Sequence, residues 1–380
     1  MSVPPPDGWQ PSQRSAPPPN QGQPYGQSGY YPQQPPPGWQ QGGWSQPPGP
    51  PHPKGNNLKW LLVGVAVLLV IGITVGATVL LTRDSGGGPP TATSGVVSDI
   101  ASADDTGPVS IITDEPTCTK FVSISNSLLD IQKKGWGDLR ASLGPVSAWT
   151  AEQREQVEAV GTGMRNAADQ SVNLLKQTPH RVIRELYEQF VVYGRAYADS
   201  IQDYSPSDDA LASVNVNAGS AIIGICNTIT YGSSSRGVAL EPGPAPSEVA
   251  PVGDPTNPQR FITNADPTCT DWVQRLDQFN AETTQWADAD PSVPASQWTP
   301  ERQALEKSVQ PLIEGYATDV EALGRKSDNP VLGDFASSAA LYLRAYLTVG
   351  ENYTVADGWL SSVGFKFANL VSGACRAAAG

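Results

Sequence analysis

Four cysteines carry the most reactive side chains in this 380-residue chain, and their spacing limits the chemistry that they can do. Cys118, Cys226, Cys269 and Cys375 lie far apart, without the closely spaced CxxC-type pairs of zinc sites. An even number of well-separated cysteines, all placed after a long apolar run, is typical of disulfide bonds in an extracytoplasmic region. We therefore expect disulfides and no metal, with three pairings open to four cysteines.

Residues suited to acid–base or nucleophilic catalysis are scarce. The chain has two histidines, His52 in a Pro- and Gln-rich segment and His180 at a predicted helix start. Ser–His–Asp and Cys–His systems need a histidine beside the nucleophile, and neither position is suited to that role. The acidic pair Asp208-Asp209 also begins a predicted helix, where capping is the ordinary role. No P-loop, HExxH or GxSxG pattern occurs, so we expect neither an enzyme nor a cofactor.

The charge of the chain is unevenly distributed. Of the 24 basic and 37 acidic residues, four basic residues and one acidic residue lie up to Arg83. The remainder therefore carries a net charge of −16. An acidic surface of this size repels phosphate backbones and anionic headgroups, which argues against nucleic acid as a partner. A negative net charge of this kind also serves to keep a protein soluble, which explains it without any partner.

The stretch Pro-Thr-Cys-Thr occurs twice, at 116–119 and at 267–270. Further residues match at a nearly constant offset: Trp149 with Trp298, Tyr193 with Tyr342, Arg195 with Arg344, Tyr197 with Tyr346, Tyr204 with Tyr353, Asp208 with Asp357, and Cys226 with Cys375. Such agreement over rare residues predicts two divergent copies of one module. Because each copy should carry its own bridge, the repeat favours the pairs Cys118–Cys226 and Cys269–Cys375.

Helical periodicity dominates both copies. Apolar residues recur three or four positions apart, and Thr150 and Thr299 precede two of these stretches as N-caps. The predicted fold is all-α, with two disulfide-stapled four-helix bundles. The expected helices span 117–133, 150–177, 180–203, 208–229, 267–287, 299–325, 330–351 and 356–378.

Composition divides the chain further. A Pro/Gln/Gly-rich opening lacks the aliphatic residues of a packed core, which predicts a disordered tail, and two segments rich in Pro, Gly, Ser or Thr separate the other regions. The predicted order is a cytoplasmic tail (1–57), a transmembrane helix (58–82), a flexible stalk (83–113), helical module 1 (114–230), a Pro-rich linker (231–264) and helical module 2 (265–380).

Residues 60–81 contain no charged side chain and are long enough to cross a lipid bilayer as a helix. The alternative, a cleaved signal peptide, is less suited to a run of this length without a following cleavage site. Lys54 and Lys59 precede the run, while Arg83 follows it beside Asp84. This asymmetry favours a single-pass protein in the cell membrane with a cytoplasmic N-terminus and an extracytoplasmic C-terminal region.

Two short patterns suggest contacts with other proteins. Gly72 and Gly76 form a GxxxG spacing that permits close packing of membrane helices and hence self-association. The tail repeats Pro-Pro-Pro near Gly-Trp-Gln, at 4–10 and at 35–40. Polyproline segments dock into aromatic grooves, although an inert solvated tail explains the composition as well.

The duplicated Tyr-x-Arg-Ala-Tyr motif has two interpretations. In one, the tyrosines belong to the core and each arginine pairs with an acidic neighbour. In the other, the aromatic side chains line a small bundle pocket for an apolar or amphipathic ligand. The residues concerned are Tyr193, Arg195, Tyr197, Tyr342, Arg344 and Tyr346.

The PPPxxW-type tail, the apolar run, the Pro/Gly/Thr stalk and the lysine-poor ectodomain together resemble the proline-rich single-pass membrane proteins of mycobacteria and related actinobacteria. The resemblance implies a cell-envelope location and assigns no residue a role. We expect a non-enzymatic envelope protein whose modules bind a protein or ligand outside and whose tail makes contacts in the cytoplasm. The alternatives are a transmembrane sensor or signalling protein, and an accessory factor of lipid transport or cell-wall assembly.

Overall fold

A computed structural model describes residues 99–243 and 245–379 of the chain. The predicted tail (1–57), the membrane span with its Gly72 and Gly76, and the first part of the predicted stalk lie outside the described residues. Among those described, a helical stretch at Pro206–Thr230 has the length and hydropathy of a membrane span. Since 72% of its most apolar window is buried inside the protein, these properties are those of a core helix.

The described residues form α-helices and short 3₁₀-helices and contain no strand, which confirms the all-α prediction. The helices are α1 (Cys118–Gln132), α2 (Trp136–Arg140), α3 (Ala151–Gln177), α4 (Arg181–Ser200), α5 (Asp209–Thr230), α6 (Cys269–Glu282), α7 (Thr284–Ala287), α8 (Pro300–Lys326), α9 (Pro330–Leu347) and α10 (Gly358–Ala379). The 3₁₀-helices are Val146–Ala148, Ile201–Asp203, Pro206–Asp208, Ser233–Gly237, Ala295–Gln297, Gly350–Asn352 and Val355–Asp357.

The two halves of the described chain repeat one order of helices. We call α1–α5 the N-terminal half and α6–α10 the C-terminal half. In the N-terminal half, α3 packs on α1 and α4, and α5 packs on the same two helices. In the C-terminal half, α8 packs on α6 and α9, and α10 packs on the same two helices. The equivalent helices α3 and α8 each have 27 residues, and α5 and α10 each have 22.

One disulfide closes each half. Cys118 at the start of α1 is bonded to Cys226 near the end of α5, and Cys269 at the start of α6 is bonded to Cys375 near the end of α10. This is the pairing that the repeat favours. Each bridge encloses nearly all of its half, with sequence separations of 108 and 106.

The sequence left open whether the halves pack together, and the structure places them in direct contact, mainly through α5 and α10. Two glycines permit the close approach of these helices. A Cβ atom added at Gly224 would lie 2.7 Å from a methyl group of Val363, and one at Gly373 would lie 3.1 Å from a methyl group of Val214. A smaller contact joins α4 to α9.

The segments predicted as stalk and linker differ from expectation. Residues 99–113, the described part of the stalk, lie against the helices, and we call them the docked segment. Ile100, Val109, Ile111 and Ile112 are buried there. In the linker, the backbone amide of Gly243 donates to the carbonyl of Val109 (2.9 Å). The Gly- and Ser-rich composition suggested a flexible stalk, but the four aliphatic residues of the docked segment are buried against the helices.

Candidate functional site

The first Tyr-x-Arg-Ala-Tyr motif lies on α4, with its tyrosines inside and its arginine outside. Tyr193 is fully buried beneath Arg260, whose guanidinium carbon lies 5.2 Å from the ring centroid. Burial raises the pKa of Tyr193 to about 12. Arg195 forms an ion pair with Asp169 (2.7 Å) and donates to the carbonyl of Thr256 (2.8 Å). The arginine therefore ties α4 to α3 and to the linker.

The second motif, on α9, is oriented in the same way. Tyr342 is buried, and its hydroxyl accepts a hydrogen bond from the backbone amide of Ile112 (3.3 Å) in the docked segment. Arg344 pairs with Glu314 and Glu321 of α8, each at 3.2 Å. Both motifs thus have the contacts of the first interpretation, in which tyrosines are core residues and each arginine meets an acidic partner.

The second tyrosine of the motif meets a tryptophan in both halves. Trp136 Nε1 donates to the Tyr197 hydroxyl (3.1 Å). In the C-terminal half, Trp286 Nε1 (3.1 Å) and the Tyr346 hydroxyl (3.0 Å) both donate to the buried carboxylate of Glu306. A cavity beside Tyr346 offers only about 10 Å³ of space for water, which is room for about one water molecule and not for a ligand.

The repeated cysteine motif proves to be part of a polar anchor. Glu115 precedes Pro-Thr-Cys and accepts from the amide (2.9 Å) and the hydroxyl (2.6 Å) of Thr117, and from the Thr178 hydroxyl (2.6 Å). Asp266 does the same with the amide and hydroxyl of Thr268 (2.8 and 2.6 Å) and with Ser327 (2.6 Å). Each carboxylate joins the start of α1 or α6 to the loop after α3 or α8.

Sequence reasoning did not identify this anchor, although an acidic residue precedes Pro-Thr-Cys in both copies. The partners Thr178 and Ser327 lie about 60 residues away, and short polar residues of this kind carry no signal of long-range contact. Burial acts against ionisation of Asp266, but the hydrogen bonds from Ser327 and Thr268 leave its pKa below the usual value.

A further repeated feature is a cluster at one end of each half, which we call the tip. In the N-terminal half it comprises Trp149, Arg154 and Tyr204; in the C-terminal half it comprises Trp298, Arg302 and Tyr353. The ring centroids of Trp149 and Tyr204 are 5.1 Å apart, and those of Trp298 and Tyr353 are 5.4 Å apart. Each arginine covers its tryptophan, with centroid distances of 5.6 and 5.7 Å.

Local backbone structure holds each tip in place. Trp149 Nε1 donates to the carbonyl of Gly144 (2.7 Å), and Trp298 Nε1 donates to that of Val293 (2.9 Å). Thr150 caps α3 and Thr299 caps α8 directly after the tryptophans. Both tryptophans remain partly exposed, so each tip combines aromatic and cationic surface, which is the composition of protein-binding hot spots.

The residues weighed for catalysis have structural contacts. The His180 Nε2 atom lies 2.7 Å from the carbonyl oxygen of Asp114. Asp208 lies at the N-cap position of α5, but its side chain does not cap that helix. Its carboxylate accepts instead from the amide and hydroxyl of Ser205 (2.8 and 3.0 Å), in the capping box of the 3₁₀-helix Pro206–Asp208. Over residues 99–243 and 245–379, no group of three His, Cys, Asp or Glu residues is arranged to hold a metal ion.

Comparison with known proteins shows one curated relative and one family. No solved structure matches the chain. An uncharacterised protein of Mycolicibacterium smegmatis (strain MKD8) is 43% identical over 341 residues, covering 87% of this chain and 89% of that protein. The family model described as "Mycobacterial ESX-1 associated protein" matches residues 100–380, which include both halves and most of the docked segment. The chain therefore belongs to the mycobacterial ESX-1 associated protein family.

Proposed function

We propose that this chain is a non-enzymatic, membrane-anchored protein of the cell envelope that serves the ESX-1 secretion system by binding a protein outside the membrane. The family description associates its members with ESX-1. The observation that carries the binding role is the pair of tips. Each tip keeps a partly exposed tryptophan beside an arginine at the surface, while Tyr193 and Tyr342 are buried in the core.

The proposed anchor is the apolar run at 60–81, with the Pro-rich tail in the cytoplasm and residues 99–380 outside. Two disulfides support this orientation because such bonds persist in oxidising compartments. Gly72 and Gly76 would then lie in the membrane helix, where they permit self-association. Thiol labelling in intact cells tests the topology with full-length variants that keep both disulfides and gain one cysteine. Asn20→Cys should be protected from the label and Glu155→Cys accessible to it; the reverse would refute the orientation.

We also propose that the two halves are duplicated four-helix bundles. The equivalent helix lengths, disulfides, anchors and tips support this proposal. Duplication presents two similar tips on one body, and two linked sites bind a partner with repeated epitopes more tightly than one site does.

The binding role is tested by charge reversal at the tip. Arg154→Glu should reduce co-purification of ESX-1 components with the full-length protein, because it places an acid over Trp149. Arg165→Glu is the matched control, since Arg165 is an exposed arginine of the same helix that pairs with Asp199 away from the tip. Wild-type co-purification by Arg154→Glu would exclude the N-terminal tip as a binding surface, and the same result for Arg302→Glu would exclude the other tip.

A further inference from the structure

The contact between α4 and α9 contains a cluster of charged side chains, which we call the seam cluster: Arg181, Arg184, Glu185, Glu188 and Asp334. Arg181, Arg184 and Glu185 are at most 1% exposed, and Asp334 is 3% exposed. Taking ions out of water costs several kcal/mol each unless close partners compensate. The question is therefore which of these groups have such partners.

Arg181 has them. It forms a two-point ion pair with Asp334, from Nε to Oδ2 (2.7 Å) and from Nη2 to Oδ1 (3.0 Å). It also donates to the carbonyls of Asp105 (2.6 Å) and Gly107 (3.0 Å) in the docked segment. The Asp105 carboxylate in turn accepts from the Arg181 backbone amide (2.7 Å). One side chain thus joins α4, α9 and the docked segment.

Glu185 lacks such partners. Within the described residues, neither of its carboxyl oxygens receives a hydrogen bond, although the side chain is fully buried. Its nearest recorded cationic contact is Arg184 Nη2 at 3.6 Å, which exceeds hydrogen-bond distance. Arg184 is shared with Glu188, whose Oε1 lies 3.5 Å from Nε. A buried carboxyl group without donors favours its neutral form.

The repeat places two acidic residues at the contact between the halves. Glu185 and Asp334 occupy equivalent positions, at the offset of 149 residues, and they influence each other across the contact between the two halves. With Glu185 neutral, Arg181 balances Asp334 and Arg184 balances Glu188. With Glu185 ionised, an uncompensated negative charge faces Asp334.

We propose that the contact between the two halves is proton-linked: Glu185 is held there as a neutral carboxylic acid, and loss of its proton weakens the packing of α4 on α9. The charged groups that act on Glu185 are Arg181, Arg184 and Glu188 from its own helix and Asp334 from α9. Asp105 of the docked segment contacts the same Arg181 at 3.8 Å.

The sign of the pH dependence follows from these groups. Burial, followed by the charge of Asp334, raises the pKa of Glu185 well above its ordinary 4.5, against the opposing effect of Arg184. Burial also raises the pKa of Glu188. The stabilisation that neutral Glu185 gives to the packing of α4 on α9 is therefore complete below pH 4.5. It is lost as the pH rises through the folded-state pKa of Glu185. Between pH 4.5 and that pKa, one linked proton changes the ratio of packed to separated α4 and α9 by up to about tenfold per pH unit.

Infrared difference spectroscopy tests the protonation state directly. At a pH above the ordinary range of exposed carboxyl groups, the full-length protein should show the carbonyl band of a protonated carboxylic acid, and Glu185→Gln should reduce it. Glu155→Gln, an exposed position on α3, is the control and should retain the band. An identical spectrum for wild type and E185Q in this region would overturn the proposal.

Hydrogen exchange tests the consequence for the contact and does not depend on a variant. After correction for intrinsic exchange rates, amides of α4 and α9 in the wild-type full chain should lose protection with rising pH, by up to about tenfold per unit. E185Q, which mimics the neutral acid, should lack this component. Wild-type protection of α9 that does not change with pH, or a dependence that E185Q retains, would refute the proton link.

Discussion

Position 157 of the N-terminal half holds a fully buried valine, whereas the equivalent position 306 of the C-terminal half holds a buried glutamate. In the N-terminal half, Trp136 donates to the Tyr197 hydroxyl. Around Glu306, the equivalent tryptophan and tyrosine both donate to the carboxylate, and Arg302 completes the site with an ion pair (2.7 Å). The aromatic frame is therefore repeated, while the polar group at its centre has diverged.

The same division holds elsewhere in the molecule. Groups that close each half are repeated: the disulfide, the acidic anchor before Pro-Thr-Cys and the tip. Groups that join the halves are repeated only in part. The contacts of Gly224 with Val363 and of Gly373 with Val214 are equivalent at the offset of 149 residues. In contrast, Arg181, which binds Asp334 and the docked segment, corresponds to Pro330 in the other half. Each half thus retains what makes it fold and what packs α5 on α10, while the residue that binds the docked segment by an ion pair and its carbonyl contacts occurs in one half.

Loss of a disulfide should have the largest effect on stability. Comparing the loss in the two halves tests whether the halves are equivalent. Replacing Cys118 and Cys226 by alanine, or Cys269 and Cys375, removes a bridge over a loop of 108 or 106 residues. Each pair of substitutions should lower the free energy of unfolding by about 4–5 kcal/mol in the chain-entropy model. Guanidinium titrations followed by circular dichroism measure both losses. A difference of several kcal/mol between the two would show that the halves depend on their bridges unequally.

The next effect separates a group that joins the halves from one that lies within a half. Arg181→Met leaves Asp334 buried without its partner and should cost about 3–5 kcal/mol. Arg344→Met removes partly exposed ion pairs within the C-terminal half and should cost about 1 kcal/mol or less. Thermal unfolding of the two variants compares them. Equal losses would mean that the buried Arg181–Asp334 pair contributes no more to stability than the partly exposed pairs of Arg344.

The sequence was sufficient to predict the eight longer helices and the disulfide pairing because both rest on patterns that occur twice, whereas the short helix α2 (Trp136–Arg140) was not predicted. Periodic apolar residues predicted α3 over 150–177, and it spans Ala151–Gln177. The Arg181–Asp334 pair could not be predicted in this way, since it joins residues 153 positions apart and occurs once. The docked segment was missed for a related reason: it has only four buried aliphatic residues, without helical periodicity, and its backbone contacts Lys176 of one half and Tyr342 of the other.

A smaller effect concerns the central position that differs between the halves. Glu306→Val installs the residue of the N-terminal half and leaves the Trp286 and Tyr346 donors without an acceptor. We expect a loss of about 2–3 kcal/mol, because buried donors left unpaired lose their full solvation. Glu306→Gln, which keeps an acceptor oxygen, should cost less. If E306V is as stable as wild type, the aromatic frame of this half tolerates the valine of the other half without its polar centre.

The smallest effect lies at the helix caps of the tips. Thr150 and Thr299 each accept from the backbone amide three residues later, so Thr→Ala should cost about 1 kcal/mol at either site. At Thr150 the Gln153 side chain also accepts from the Thr150 amide (2.9 Å), whereas Arg302 takes the equivalent position after Thr299 and binds Glu306. Combining Thr150→Ala with Gln153→Ala should therefore cost a few tenths of a kcal/mol more than Thr150→Ala alone, because the second, reciprocal bond is lost. Denaturant titrations of these variants measure the difference. An unchanged stability on removing Gln153 would show that the two caps are equivalent despite their different third residues.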